Sequence, residues 1–158
     1  MPGVDSATSM PPDPEIVLRT WLLSKSTITN EISQRVATKL PQNPTLPFVV
    51  IENQGNLLSD PASQAPINIA TLAIYVYAGR WGGDGTKPEP DYSTASNIAQ
   101  IIYKELFTES RVEVLSNGGV NAVIYGFEIA VAPVRIENRE RQIAEFQITA
   151  NMTYRYTA

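Results

Sequence analysis

The sequence contains no histidine and no cysteine. Histidine is the side chain most used for proton transfer near neutral pH and a frequent metal ligand, and cysteine supplies the thiolate nucleophile. Their absence excludes Ser-His-Asp triads, Cys-His dyads, redox-active cysteine pairs and zinc sites with imidazole or thiolate ligands. An enzyme of this composition would depend on carboxylates, a Ser-Lys or Tyr arrangement, or magnesium. The composition therefore favours a protein that works by presenting surfaces.

Positive charge and long apolar runs are also scarce. The 12 Lys and Arg against 16 Asp and Glu give a net charge of −4, the wrong sign for general attraction to phosphate backbones or anionic membranes. No apolar run approaches the ~20 residues of a membrane helix, and Met1 to Pro12 lacks the features of a secretory signal. We expect no membrane partner, and the missing cysteines fit synthesis in a reducing cytoplasm.

The 158 residues suit one domain with a core of its own. Residues 1–12 are small, polar and proline-rich, which predicts a disordered segment before a single domain spanning 13–158. Asp13-Pro14-Glu15 predicts a helix start, with a side-chain cap, proline in the first turn and an acid near the positive end of the helix dipole. The apolar face of this helix comprises Val17, Leu18, Trp21 and Leu22. A second short helical pattern, capped by Ser26 or Thr27, comprises Ile28, Ile32 and Val36.

The middle of the chain alternates between extended segments and loops. Phe48 to Ile51 predicts a buried strand, and Gln54 to Pro66 predicts a polar loop. Ile67 to Ala78 is apolar on both faces, which is typical of a central strand. Gly79 to Asp91 contains four glycines and two prolines and predicts a long loop.

The last third predicts one helix followed by β-structure. A helix from Tyr92 to Thr108 carries an apolar stripe at helical spacing. A strand over Val112 to Leu115 leads into a hairpin turn, and two alternating strands begin near Val123 and Ala144. The order α-α-β-β-α-β-β-β predicts an α+β fold, in which an antiparallel or mixed sheet packs against two to three helices.

Two groups of residues invite a catalytic or ligand-binding interpretation. The glycine-rich stretch from Trp81 to Lys87 lacks the glycine–lysine spacing of a phosphate-binding loop, so a surface loop is favoured, with solvated acids at Asp84, Glu89 and Asp91. A pair of strand carboxylates can carry out acid–base chemistry only at a suitable separation, which the sequence does not give. We therefore favour solvent-facing positions or contacts with a neighbouring subunit over catalysis. These strand carboxylates are Glu52, Glu128 and Glu145. We assign no catalytic, metal or cofactor residue and predict that the chain is not an enzyme.

The segment from Val134 to Gln142 predicts a charged connection of mixed sign, which suits contacts between copies of one subunit. Trp81, in the glycine-rich stretch, either anchors a partner or folds back over its own domain, and both readings stay open. The candidate interface residues are Trp81, Arg135, Glu137, Arg139, Glu140 and Arg141.

The ordered layout resembles the tail terminator proteins of long-tailed bacteriophages. The resemblance rests on Asp13-Pro14 opening an amphipathic helix and Leu46-Pro47 opening a β-branched strand. An aromatic strand, a Gly/Pro loop, an amphipathic helix and closing strands follow in the same order. The resemblance covers about Asp13 to the C-terminus.

This resemblance implies a structural virion protein that forms a ring, expected to be a hexamer, on the end of the tail tube. Such a ring ends tube polymerisation and offers a face to the head-completion or connector protein at the tail-neck junction, and DNA only passes through its channel. Such a ring is assembled in the cytoplasm of the bacterial host. The resemblance implies no catalytic residue and no cofactor. The alternatives are another neck component, such as a head-completion or stopper protein, and a small carboxylate-dependent enzyme or ligand-binding domain.

Overall fold

A computed structural model describes residues 13–42, 44–58, 67–81, 88–108, 112–117, 120–137 and 143–156. Three helices are α1 (Pro14–Leu23), α2 (Ser26–Ile32) and α3 (Tyr92–Thr108). The strands are β1 (Val36–Ala37), β2 (Phe48–Leu58), β3 (Asn68–Trp81), β4 (Pro88–Pro90), β5 (Glu113–Asn117), β6 (Val120–Ile136) and β7 (Ala144–Tyr156). The predicted disordered segment 1–12 lies outside the described residues.

The strands form one mixed, curled sheet in the order β1-β2-β3-β7-β6-β5, with β4 pairing the end of β3. The β1–β2 pair is parallel and every other pair is antiparallel. β3 lies between β2 and β7, which confirms its prediction as a central strand. The predicted α+β class is confirmed.

Helix α1 begins where the sequence predicts. The Asp13 carboxylate accepts a hydrogen bond of 2.9 Å from the Glu15 N–H, and Pro14 occupies the first turn. The predicted face is fully buried, and the Trp21 ring packs against Phe127 of β6 with centroids 4.6 Å apart. Trp21 is thus a core residue that joins α1 to the sheet.

Helix α3 has the bounds predicted from its apolar stripe, and all five stripe residues are buried. Its start is fixed by Asp91, whose carboxylate accepts hydrogen bonds from the N–H and the hydroxyl of Thr94 at 3.1 and 2.7 Å. Asp91 is therefore a helix cap, where the sequence had suggested only a solvated acid. The buried stripe comprises Ala95, Ile98, Ala99, Ile102 and Leu106.

All helices pack on the face of the sheet that carries Leu72, Ile74 and Val76. We call the opposite side the second face. Cross-strand partners place Tyr75 of β3 and Gln147 of β7 on it.

Two predictions about α2 are wrong. Ser33 adopts a positive φ of 55°, which ends the helix, so Val36 lies on β1 instead of continuing the helical stripe. Lys25 occupies the cap position without a side-chain hydrogen bond, so neither Ser26 nor Thr27 is the cap.

The strands run further than their sequence patterns indicate. β2 continues through a bulge at Gly55 to Leu58, and β3 continues to Trp81, so both strands extend into segments predicted as loops. β6 continues to Ile136, which places the start of the predicted charged connection inside a strand. Its alternation is also interrupted by three register shifts, one of which spans Pro133, a residue without an N–H for the ladder.

Candidate functional site

Arg135 lies on β6 and makes contacts within its own chain. Its guanidinium sits 3.6 Å from the centroid of the Tyr92 ring at the start of α3, and its Nε lies 3.2 Å from a Glu137 carboxylate oxygen. Both side chains are at least half exposed, so the ion pair contributes little to stability. The pair leaves the cation and the acid accessible at the end of β6.

The remaining candidate interface residues are only partly covered by the structure. Arg139, Glu140 and Arg141 lie outside the described residues. The backbone of Trp81 pairs with Pro88 at the end of β3, and its side chain lies outside the described part. The two interpretations of Trp81 therefore both stand as predictions.

The three strand carboxylates do not meet in one cluster. Glu145 pairs with Tyr77, whereas Glu128 pairs with Asn151, six positions further along β7. Six strand residues span roughly 20 Å, beyond the separation of about 5–10 Å used by paired catalytic carboxylates. Glu52 and Glu128 are exposed as expected, but Glu145 is only 6% exposed and departs from the solvent-facing expectation.

Glu52 and Glu145 both influence Tyr75, which lies between them on β3. Burial raises the pKa of the Tyr75 phenol above its usual value, and the negative charges of Glu52 and Glu145 raise it further. Both effects disfavour the phenolate, so at neutral pH Tyr75 is a neutral hydrogen-bonding group on the second face.

Side chains cap the β1–β2 edge of the sheet. The Glu15 carboxylate of α1 accepts a hydrogen bond of 2.9 Å from the Asn53 N–H, and the Asn53 side chain accepts one of 3.0 Å from the Gly55 N–H. On β1, the Arg19 Nε donates to the Val36 carbonyl at 2.8 Å. These three backbone groups are thus already occupied and are not free to pair with another strand.

The opposite edge of the sheet is different. Among the described strands, none pairs with the outer side of β5, and large apolar side chains at and just before its start are exposed. Phe107 at the end of α3 is 70% exposed, Val112 is 59% exposed and Val114 is 67% exposed. Val112 and Val114 lie two residues apart and so point to the same side of the strand, whereas Phe107 belongs to a helix on the other side of the sheet. We call Val112 and Val114 the β5 patch.

A second exposed apolar pair lies at the far end of β6. Val131 and Val134 are 46% and 44% exposed, and their cross-strand partners Thr149 and Gln147 place them on the second face. We call this pair the β6 patch. Sequence reasoning selected the charged residues beside it and missed both patches, because an isolated valine in an alternating strand has the same pattern whether covered or exposed.

The described residues contain no group of three or more acidic side chains placed to hold a metal ion. Within the same ranges, no helix combines the length and apolar character needed to span a membrane.

No protein-family model matches the chain, and no characterised protein matches it in sequence. Among solved structures, the chain is similar to a component of the virion of a native gene transfer agent (GTA) particle. The two share 12% sequence identity with a TM-score of 0.49, over 85% of this chain and 87% of that one. The function proposed below rests on the surfaces and sequence pattern of this chain itself.

Proposed function

We propose that this chain is the tail terminator subunit of a long-tailed bacteriophage, a structural virion protein that forms a ring on the end of the tail tube. The observation that carries the proposal is the β5 patch, two exposed apolar side chains at the start of an edge strand whose outer side no described strand covers. Exposed apolar side chains grouped in this way mark surfaces that bind another protein. The order of sequence elements from Asp13 onward supports the specific assignment to a terminator.

A closed ring, expected here to be a hexamer, needs two different surfaces on each subunit, because each copy binds its neighbour head to tail. This chain presents the β5 patch at one end of its sheet and the β6 patch with Arg135 and Glu137 at the other. The tube protein and the head-completion or connector protein are the proposed partners on the two faces of the ring. The net charge of −4 suits a channel through which DNA passes without being held.

The charged segment from Val134 to Gln142 is proposed to contact a neighbouring subunit. Neutralising Arg135, Arg139 and Arg141 together is expected to weaken ring formation, because cations that complement a neighbouring chain are lost. Light scattering measures the oligomer size. The double variant R139A/R141A is the matched control, since it keeps the contacts of Arg135 with Tyr92 and Glu137. An unchanged oligomer size in the triple variant would show that this segment is not a subunit contact.

Electron microscopy of a phage lacking this gene tests the function directly. Loss of a terminator is expected to leave overlong or unjoined tails beside filled heads, and supplying the protein should restore normal tail length. Leaking heads beside tails of normal length would instead identify a head-completion or stopper protein. Tails and heads that both form and join normally would rule out both assignments.

A further inference from the structure

Two tyrosine rings and two carboxylates lie together on the second face. The rings of Tyr75 and Tyr77 stack with their centroids 6.5 Å apart, and both side chains are half-buried. Glu145 of β7 lies directly opposite Tyr77, and Glu52 of β2 lies diagonally across from Tyr75. We call these four residues the tyrosine–glutamate site. The face of a tyrosine ring and a carboxylate both attract cations, so this site has the composition of a cation-binding surface.

Glu145 is buried in this site without a compensating partner among the described residues. It is only 6% exposed, yet within the described ranges its carboxylate accepts no hydrogen bond and forms no ion pair. Gln147, the next second-face residue of β7, donates to Thr149 at 3.5 Å instead. The charge of Glu145 raises the pKa of Tyr75, as expected for a carboxylate close to that phenol. Because a carboxylate that has lost water needs a new partner, a bound cation would stabilise Glu145.

The arginines that the structure describes near the sheet are placed elsewhere. Arg35 donates its Nε to the Pro47 carbonyl at 2.7 Å, and Arg135 contacts α3 on the helix side of the sheet. Arg155 shares the second face, but it lies ten residues along β7 from Glu145, roughly 33 Å away. In the described part of the chain, the carboxylates of the tyrosine–glutamate site therefore have no cation paired with them.

The same combination of groups already holds an arginine elsewhere in this chain. At the end of β6, the Arg135 guanidinium lies 3.6 Å from the centroid of the Tyr92 ring, and its Nε lies 3.2 Å from a Glu137 oxygen. A planar guanidinium can stack on an aromatic ring while its N–H groups donate sideways to a carboxylate. The tyrosine–glutamate site presents the ring and the carboxylate of this arrangement.

We propose that the tyrosine–glutamate site binds an arginine side chain of a partner protein. Arginine fits better than lysine, because the compact ammonium group lacks the planar fork that serves a ring and a carboxylate together. Arginine and tyrosine are also enriched where protein interfaces are most fully buried. The inference goes beyond the proposed ring and does not depend on it, since only the second face carries it.

Acetyl-arginine amide is the probe that tests the site, added to the isotope-labelled protein and followed by nuclear magnetic resonance. We expect saturable shifts centred on Tyr75, Tyr77 and Glu145 at up to about 10 mM probe, which saturates a site of ~1 mM affinity. Acetyl-citrulline amide has nearly the same shape without the charge and should bind at least about tenfold more weakly, because charge-assisted hydrogen bonds are lost. Acetyl-lysine amide should also bind more weakly than the arginine probe.

Variants at the carboxylates locate the binding. Glu145→Gln is expected to weaken binding of the arginine probe at least about tenfold. Glu52→Gln, at an exposed position, should weaken it less and provides a test in a variant whose folding is not in question. Glu128→Gln is the matched control, because Glu128 is an exposed glutamate outside the site, and it should leave the affinity unchanged.

Three results would overturn the proposal. The first is an absence of saturable shifts at the site, and the second is equal binding of the arginine and citrulline probes. The third is tighter binding of the probe to R139A/R141A than to the original chain, because an arginine of the chain itself would then occupy the site. Unchanged affinity in both Glu145→Gln and Glu52→Gln would contradict it as well, since binding would then not involve these carboxylates.

Discussion

At the scale of single residues, short polar side chains determine where α1 and α3 begin. Asp13 and Asp91 each accept a hydrogen bond from a backbone N–H in the first turn of a helix. Only the first was predictable, because Pro14 and Glu15 follow it with a familiar pattern. Asp91 lay among glycines, prolines and other acids, and its role depends on the loop that brings it to Thr94.

Replacing Asp13 with alanine is expected to lower the free energy of unfolding by about 1 kcal/mol, because the Glu15 N–H loses its acceptor. Urea unfolding followed by circular dichroism measures the change. Asp13→Ser keeps an oxygen at the cap and should lose clearly less. Equal losses in both variants would show that the cap hydrogen bond is not the cause.

Two tyrosines make stability depend on alkaline pH. Burial raises the pKa of Tyr154, with a smaller contribution from the charge of Asp13, and burial with Glu52 and Glu145 raises that of Tyr75. Since these phenols lose protons more readily in the unfolded chain, stability should be unaffected below about pH 10 and fall above it. Urea midpoints measured in steps of pH test this.

The variant Glu52→Gln provides the control for Tyr75. Removing one negative charge should move the phenolate transition of Tyr75 to lower pH, as seen in ultraviolet absorbance, and Tyr75→Phe should remove that transition. A titration that Glu52→Gln leaves unchanged would contradict a contribution from this carboxylate.

At the scale of elements, the sequence predicted what depends on local periodicity and missed what depends on neighbouring strands. The stripe of α3 specified that helix fully, because five apolar positions at helical spacing have one common face. The lengths of β2 and β6 were underestimated from the sequence. Bulges and a proline interrupt the alternation of their side chains, whereas the cross-strand hydrogen bonds continue beyond these interruptions. The β5 patch was missed because exposure is decided by which strands lie alongside.

The capped edge of the sheet provides a prediction at this scale. Glu15→Ala is expected to lower the free energy of unfolding by about 2 kcal/mol, because a partly buried hydrogen bond to a carboxylate is lost. Hydrogen exchange of the Asn53 amide should accelerate in Glu15→Ala much more than in Glu15→Gln, which keeps an acceptor oxygen. Equal protection of this amide in both variants would show that water or another group replaces Glu15.

At the scale of the whole molecule, the residues that form the core differ from those proposed for assembly. The core on the helix side contains fully buried side chains such as Trp21 and Leu72, whereas the patches at the two ends of β6 contain the exposed ones. Changes in a patch should therefore leave the subunit folded. Sequence reasoning found the charged border of the β6 patch but not its apolar centre.

Val114→Asp is expected to abolish the oligomer measured by light scattering while changing the free energy of unfolding by less than about 0.5 kcal/mol, as usual for an exposed site. A charge in an apolar contact loses hydration without gaining a partner. Ile16→Asp, at an exposed position outside both patches, should leave the oligomer intact. An oligomer of normal size in Val114→Asp would contradict the assembly role of β5.

The capped edge also limits how these molecules can polymerise through their backbones. In the language of polymer chemistry, the N–H groups of Asn53 and Gly55 are protected, because each already donates to a side-chain oxygen. A strand from another molecule that approached β2 here would find these two donors engaged. Strand addition on this side of the sheet would first have to break the hydrogen bond between Glu15 and Asn53, which disfavours growth from this edge.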